Sequence, residues 1–203
     1  MNQNNSTIEL SESLLEKIEN EDNVEVSDKF LNEKDIEKMV SSIDNVRDST
    51  LLFMLWETGA RISELYDLSL KDIEEKENHK KVNLNGFNGE RKLPITKSVS
   101  LLEDWISKHP NKGDKESSLW MEGKNKITYN YIREILEKAG KKADIKKMTN
   151  PQHFRRSRAA LLAKILPEDQ VKKWFGWEEE SDLEGLEKGC SDCAGCPFQC
   201  GAF

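Results

Sequence analysis

The stretch Thr58-Gly59-Ala60-Arg61-Ile62-Ser63-Glu64-Leu65 places an arginine just after a break between two helical patterns. Residues 51–56, which precede it, are almost entirely apolar, and this predicts a buried helix rather than an amphipathic surface helix. Gly59 is expected to end that helix, and the residues after Arg61 open the next one. Arg61 is therefore predicted to lie at a helix–helix corner, where its side chain can reach from the core into a cleft.

A guanidinium at such a corner needs an anionic partner, and the segment leaves two interpretations open. In the first, Arg61 forms a structural ion pair with Glu64 or Glu57. In the second, it holds a bound anion, because the fork of an arginine side chain matches two phosphate oxygens at once. From this segment alone the ion pair is the simpler interpretation.

Length and composition indicate one folded domain with tails. The chain has 203 residues, which is enough for one good core and hardly for two full domains. Residues 1–28 are acidic and polar, and they are expected to form a flexible or marginally helical arm. No apolar run approaches membrane-spanning length and no signal peptide opens the chain, so we expect a cytoplasmic protein with no membrane partner.

The charge is unevenly distributed along the chain. The formal net charge of −7 argues against a nucleic-acid partner, but the local field governs phosphate binding, and residues 138–158 contain a single acid, Asp144. The basic residues predicted to contact DNA are Lys141, Lys142, Lys146, Lys147, Arg156 and Arg158. The alternative is a solvated, lysine-rich helix end.

The remaining patterns predict a mainly α fold with a small antiparallel β-sheet, an α+β class. Asn32 is expected to cap a helix, and Pro151 suits the first turn of a later helix. Apolar residues alternate in residues 81–85 and 91–95, on either side of two glycines, which indicates a hairpin.

A second motif follows the hairpin: Pro151-Gln152-His153-Phe154-Arg155-Arg156-Ser157-Arg158-Ala159. Arg155 and Arg158 are spaced i and i+3, so they are predicted to share a helix face that attracts phosphate, with Arg156 directed elsewhere. The order of corner, small sheet, Pro-x-x-Phe-Arg-x-Ser-Arg-Ala and Trp-Phe-Gly-Trp resembles the catalytic domain of tyrosine recombinases, the phage integrase family, and especially its archaeal branch. A domain of this kind is expected over residues 29–188.

The resemblance implies a site that holds a scissile phosphate of double-stranded DNA between two arginines, here Arg61 and Arg155. In that family a sheet lysine and a histidine or tryptophan assist proton transfers. A tyrosine attacks phosphorus and forms a 3′-phosphotyrosyl link, for which no cofactor is needed.

Several positions depart from the family pattern. Gln152 stands where the family has histidine, and an amide cannot shuttle a proton at neutral pH. His153 and Arg156 offer a shifted His-x-x-Arg register, which would rotate the site by about 100° on the helix. Phe87 replaces the sheet lysine. Trp177 fits the later histidine or tryptophan position, and alternatively it is a core or rim aromatic.

The departure with the largest consequence concerns the nucleophile. Glu187 lies at the expected tyrosine position, and the only tyrosines, Tyr66, Tyr129 and Tyr131, have the helical contexts of packing residues. The sequence therefore predicts a DNA-binding protein that is an integrase by descent and deficient in cleavage. The alternative is a non-catalytic DNA-binding regulator, or an assembly partner of an active recombinase or of further copies of itself on DNA.

Residues 189–203 form a cysteine-rich tail. Its cysteines, in a C-x2-C-x2-C-x3-C run, are Cys190, Cys193, Cys196 and Cys200. Such spacing in a cytoplasmic protein indicates an iron–sulfur cluster or zinc, and disulfides are a weaker interpretation. With metal, the tail could make DNA binding metal-responsive. The alternative is a tail without function.

Overall fold

The structure, a computed structural model, describes residues 6–7, 10–21, 24–76, 79–86 and 89–177. The helices in these ranges are α1 Glu12–Glu19, α2 Glu33–Ser41, α3 Val46–Thr58, α4 Ile62–Tyr66, α5 Val99–Lys108, α6 Tyr129–Lys142, α7 Pro151–Ile165 and α8 Glu168–Phe175. The strands are β1 Ser6–Thr7, β2 Ile73–Glu75, β3 Lys80–Gly86, β4 Gly89–Ile95, β5 Met121–Glu122 and β6 Asn125–Lys126. None of these helices is long and apolar enough to cross a membrane.

The strands form one main sheet in the order β1-β4-β3-β2 and a separate β5-β6 hairpin. The β3–β4 hairpin is antiparallel, with Val82 opposite Leu93, as the alternating sequence predicts. The strand β1 pairs in parallel with β4, with Ser6 opposite Arg91. The prediction of a mainly helical α+β fold is confirmed.

Helix α3 runs through the core. Leu51, Leu52, Leu55 and Trp56 are buried on its different sides, since α2, α5 and α7 all pack against it. A helix that is packed on several sides has no solvent-facing side for a polar stripe. Its sequence therefore lacks an amphipathic pattern.

The expected helix boundaries agree with the structure. The Asn32 side chain accepts a hydrogen bond from the Asp35 backbone N–H, at 3.0 Å, and so caps α2. Pro151 is the first residue of α7, where a missing N–H costs nothing. Gly59 ends α3 in the left-handed conformation, with φ of 57°.

Part of the N-terminal segment, which was expected to be a flexible or marginally helical arm, forms a packed helix. Residues 12–19 form α1, which packs against α7. Ile18 is buried among core side chains, and the half-buried Leu14 packs beside them. Glu21 is also buried, at 1% exposure. The polar composition of residues 1–28 gives little sign that α1 packs against α7, because only a few apolar side chains contribute to this packing.

Gly59 lies at the corner in a tightly enclosed position. A Cβ at this position would lie 2.6 Å from Phe175 Cε1, and the backbone has a positive φ. We expect Gly59→Ala to lower the free energy of unfolding by about 2 to 5 kcal/mol, from left-handed strain and overpacking together.

Gly123→Ala is the matched control for that substitution, and urea unfolding measures both. Gly123 has φ of 58°, and its Cβ would meet nothing within 4 Å, so only the strain remains, at about 1 to 2 kcal/mol. Equal losses in the two variants would contradict the packing role assigned to Gly59.

Candidate phosphate-binding site

Arg61 lies at the corner between α3 and α4. The Glu64 carboxylate accepts a hydrogen bond from the Arg61 backbone N–H at 2.7 Å, and it lies 3.3 Å from Arg61 Nη1. The Arg61 side chain is nevertheless 38% exposed. The ion pair with Glu64 therefore exists, and it leaves much of the guanidinium accessible to a ligand.

Arg155 lies in the second turn of α7, and its guanidinium is almost fully buried. Its Nη1 donates to the Gly59 carbonyl at 2.7 Å, and its Nη2 donates to the Phe175 carbonyl at 2.6 Å. These carbonyls lie at the C-terminal ends of α3 and α8, where helices carry partial negative charge. Arg155 thus joins two helix ends beside Arg61.

Arg91 is the third arginine of the site, and the sequence reasoning missed it. From β4 it donates to both oxygens of Glu64, at 2.7 Å each, and its Nε donates to the Trp174 carbonyl at 3.0 Å. The signal that could have found it is its place in the run Gly86-x-x-Gly89-x-Arg91, because the sheet lysine that the resemblance implies belongs to the same run. Gly86, in the same run, lies so close to Glu64 that an added Cβ would be 2.2 Å from Glu64 Oε1.

The charges of these groups do not balance. Within the described residues, Arg61, Arg91 and Arg155 lie around one carboxylate, that of Glu64. Burial raises the pKa of Glu64, but hydrogen bonding and the charge of Arg91, with the charge of Arg155, outweigh it and lower the pKa to about 2. Burial, together with repulsion from Arg61 and Arg91, lowers the pKa of Arg155 well below its usual value. A bound anion would relieve this repulsion.

Trp177 lies at the edge of the arginine cluster. Its ring stacks on Phe175, with centroids 4.7 Å apart, and Arg155 Cζ lies 5.9 Å from it. Gly176, in the left-handed conformation, turns the chain at the end of α8 to bring Trp177 there. The position is compatible with the phosphate-contacting role that the resemblance implies, and the role itself stays a prediction.

The packing at the start of α7 distinguishes between the two registers of the motif, Gln152 with Arg155 and His153 with Arg156. His153 is buried against Phe30, with ring centroids 6.3 Å apart, and burial with the charges of Arg156 and Lys147 lowers its pKa. It lies two residues from Arg155, or about 200° around the helix. This packing favours the register of Gln152 and Arg155, in which Gln152 is exposed.

Arg158 does not have the DNA-facing position expected from the sequence. Its side chain has no exposed surface, and it is held by the Glu21 carboxylate and the Glu57 carbonyl. As the i, i+3 spacing predicts, Arg155 and Arg158 lie on the same face of α7, and that face is buried. The spacing could not show that Arg158 already has a protein anion, because that anion comes from the N-terminal segment.

The predicted DNA-binding lysines lie beside α2 and the loop after it. Lys142 is 3.2 Å from Asp44, and Lys147 is 2.7 Å from Asp35. Lys146 pairs with Asp144, Lys141 is exposed, and Arg156 is half-buried. The acids around these lysines reduce the local positive field, and contact with DNA stays a prediction.

The tyrosines have the packing roles that the sequence indicates. Tyr66 and Tyr129 pack edge to face, and the Tyr131 hydroxyl donates to Asp48 at 3.0 Å. Burial and Asp48 raise the pKa of Tyr131, the opposite of what activates a nucleophile.

Three predictions fall outside the described residues: Phe87 at the lysine position, Glu187 at the tyrosine position, and the metal site of Cys190, Cys193, Cys196 and Cys200. Within the described ranges, no group of three or more His, Cys, Asp or Glu side chains could hold a metal ion.

The fold and the site together define a class: an α+β domain with a cluster of arginines at the corner between two helices. A sequence model of the phage integrase family matches residues 29–184, and the chain belongs to that family. Its catalytic domain is of the tyrosine recombinase type.

Individual relatives agree with this assignment. Tyrosine recombinase XerA of Pyrococcus horikoshii is 28% identical over 134 residues, or 64% of this chain and 45% of the relative. Tyrosine recombinase XerC of Proteus mirabilis is 28% identical over 58% of this chain and 39% of the relative. The chain thus spans less than half the length of these relatives.

Solved structures have the same fold. A XerH site-specific recombinase bound to palindromic difH substrate, in a post-cleavage complex, matches 78% of this chain and 48% of its own, with a TM-score of 0.65 and 22% identity. A XerA recombinase structure matches 72% of this chain and 55% of its own, with a TM-score of 0.63 and 20% identity.

The charge cluster makes a testable contribution to stability. A pKa of Glu64 lowered from 4.5 to about 2 corresponds to roughly 3 kcal/mol of stability. Because the folded-state pKa is the lower one, this contribution is fully present above pH 4.5 and is lost as the pH falls towards 2. Glu64→Gln should remove it at neutral pH and flatten the dependence of stability on pH below 4.5.

Urea unfolding between neutral pH and about pH 3 measures this effect. Glu134→Gln is the control, since Glu134 forms an exposed i, i+4 pair with Lys138 on α6. If Glu64→Gln behaved like the control, the assigned charge network would be wrong.

Proposed function

We propose that this protein binds double-stranded DNA as a member of the tyrosine recombinase family and holds one backbone phosphate between Arg61 and Arg155. The observation that supports this most directly is the excess of positive charge around Glu64. Within the described part of the chain, three guanidinium groups lie around one carboxylate, two of them almost fully buried, and a phosphate would supply further negative charge.

The two arginines would contribute differently to phosphate binding. Arg61 is the accessible one, so it would meet the phosphate first. Each Nη of Arg155 donates one hydrogen bond, to the carbonyls of Gly59 and Phe175. Because a guanidinium has five N–H donors, three remain. Its remaining donors are held in a fixed direction, which favours a ligand whose oxygens match that geometry.

The choice of DNA as the ligand rests on family membership and on the neighbouring structures. Two XerH structures are described as bound to difH substrate, before and after cleavage. We propose site-specific recombination as the process in which this chain takes part, without a cofactor. The cytoplasmic location expected from the sequence belongs to the same proposal.

We further propose that the chain does not complete strand cleavage. No tyrosine follows Tyr131 in the sequence, and Glu187 stands where the nucleophile is expected. A carboxylate there would repel the phosphate that it must attack. Gln152 can donate a hydrogen bond to a phosphate oxygen but cannot transfer a proton at neutral pH.

The second candidate function is a non-catalytic regulator that occupies recombination sites or joins an active recombinase on DNA. The same two features favour it: a retained arginine cluster and a missing nucleophile. The cysteine tail would make such a regulator metal-responsive if it held iron–sulfur or zinc, and metal analysis of protein purified without oxygen would test this.

DNA affinity tests the phosphate site. Arg61→Ala should weaken binding to duplex DNA by about tenfold to a hundredfold, because a charge-assisted hydrogen bond to phosphate is lost. The dependence of log K on log salt should become shallower by about one. Arg155→Lys should also weaken binding, since lysine keeps the charge but loses the fork.

Fluorescence anisotropy with labelled duplex, over a series of salt concentrations, measures these changes. Lys108→Ala is the control, because it removes one exposed positive charge from α5 and alters net charge equally. Binding by Arg61→Ala that matches this control would refute the phosphate site.

Strand cleavage is tested with nicked suicide DNA carrying candidate recombination sites. We expect no protein–DNA adduct that survives denaturing electrophoresis, because no tyrosine is placed to form one. A covalent adduct would overturn the proposed deficiency, and mass spectrometry of the adduct would identify the attacking residue.

A further inference from the structure

The N-terminal segment supplies the counter-charge for a buried cation on α7. The Arg158 side chain is 0% exposed, and its Nη1 donates to Glu21 Oε1, on a carboxylate that is itself 1% exposed. Lys97 lies 3.7 Å from the same carboxylate and 3.2 Å from Glu33. The match to the family begins at residue 29, so Glu21 lies before the part of the chain that the family defines.

Arg158 also contacts the corner that carries the phosphate site. Its Nε donates to the Glu57 carbonyl in the last turn of α3, at 3.0 Å. Its Cγ lies 3.1 Å from the position of a Cβ on Gly59, so the side chain packs directly against that residue. The Gly59 carbonyl in turn accepts the hydrogen bond of Arg155. A continuous set of contacts thus runs from Glu21 through Arg158 to Arg155.

We propose that Glu21 is a positioning residue for the phosphate site, acting through Arg158 on the corner at residues 57–61. A buried guanidinium whose carboxylate is removed is left without compensation, and it shifts towards water or towards another acid. Because Arg158 holds the last turn of α3, such a shift releases the end of that helix. The effect on DNA rests on the proposed function, whereas the effect on the corner does not.

Amide hydrogen exchange of the corner tests the first step without DNA. Glu21→Gln removes the charge with little change of shape. It should speed exchange at residues 59–61 by about tenfold or more, while residues 82–84 in β3 keep their protection. Glu16→Gln is the control, because it makes the same change at an exposed position of α1. Unchanged exchange at the corner in Glu21→Gln would overturn the proposal.

A double variant separates positioning from stability alone. Glu21→Gln with Arg158→Met removes the uncompensated charge, so it should recover most of the lost resistance to urea. The hydrogen bond to the Glu57 carbonyl is still missing, and exchange at residues 59–61 should therefore stay fast. If residues 59–61 regained their protection from exchange in the double variant, Glu21 would have only a structural role, and the proposed positioning role would be wrong.

DNA binding tests the second step, at a temperature where circular dichroism shows every variant fully folded. Glu21→Gln should weaken binding by about tenfold and reduce the salt slope, as Arg61→Ala does, while Glu16→Gln should not. A mobile corner with unchanged binding would refute the link to the phosphate site. If Arg61→Ala also left binding unchanged, the proposed function would fail, and the exchange experiment would still decide whether Glu21 positions the corner.

Discussion

The end of helix α3 is the constraint on which the rest of the structure depends. A helix leaves its last carbonyls without intrahelical partners, and this end is buried, so other groups must satisfy them. Three side chains do so in succession: the Glu57 carbonyl accepts from Arg158, the Thr58 carbonyl from Trp174, and the Gly59 carbonyl from Arg155. The donors belong to α7 and α8, so one helix end fixes the position of both.

This arrangement gives the arginines of α7 a structural role in addition to the phosphate binding that we propose for Arg155. The partial negative charge at a helix end offsets part of the cost of burying a guanidinium, and this allows Arg155 to be almost fully enclosed. The α8 end repeats the pattern, since the Trp174 and Phe175 carbonyls accept from Arg91 and Arg155. Substitutions of Arg155 are therefore expected to change folding together with the proposed anion binding, and substitutions of the accessible Arg61 give the cleaner measure of binding.

The sequence predicted those parts of the fold that depend on neighbouring residues. The cap at Asn32, the proline at the start of α7 and the glycine at the end of α3 are local signals, and each was confirmed. Arg61 and Arg155 were proposed as phosphate ligands from the motifs that surround each of them. Arg91, Glu21 and the burial of Arg158 were missed, because their partners lie 27 or 137 positions away in the sequence. A pattern of residue types and spacings cannot show which charged side chains contact each other across such separations in the sequence.

One edge strand of the main sheet is β1, a two-residue strand from the N-terminal segment that lies in parallel along β4. At the opposite edge, β2 is three residues long and carries Glu74 and Glu75, with Lys76 following it. Short, charged edges pair poorly with strands of another molecule. Among the described residues, the main sheet is thus a poor template for edge-to-edge association with another molecule.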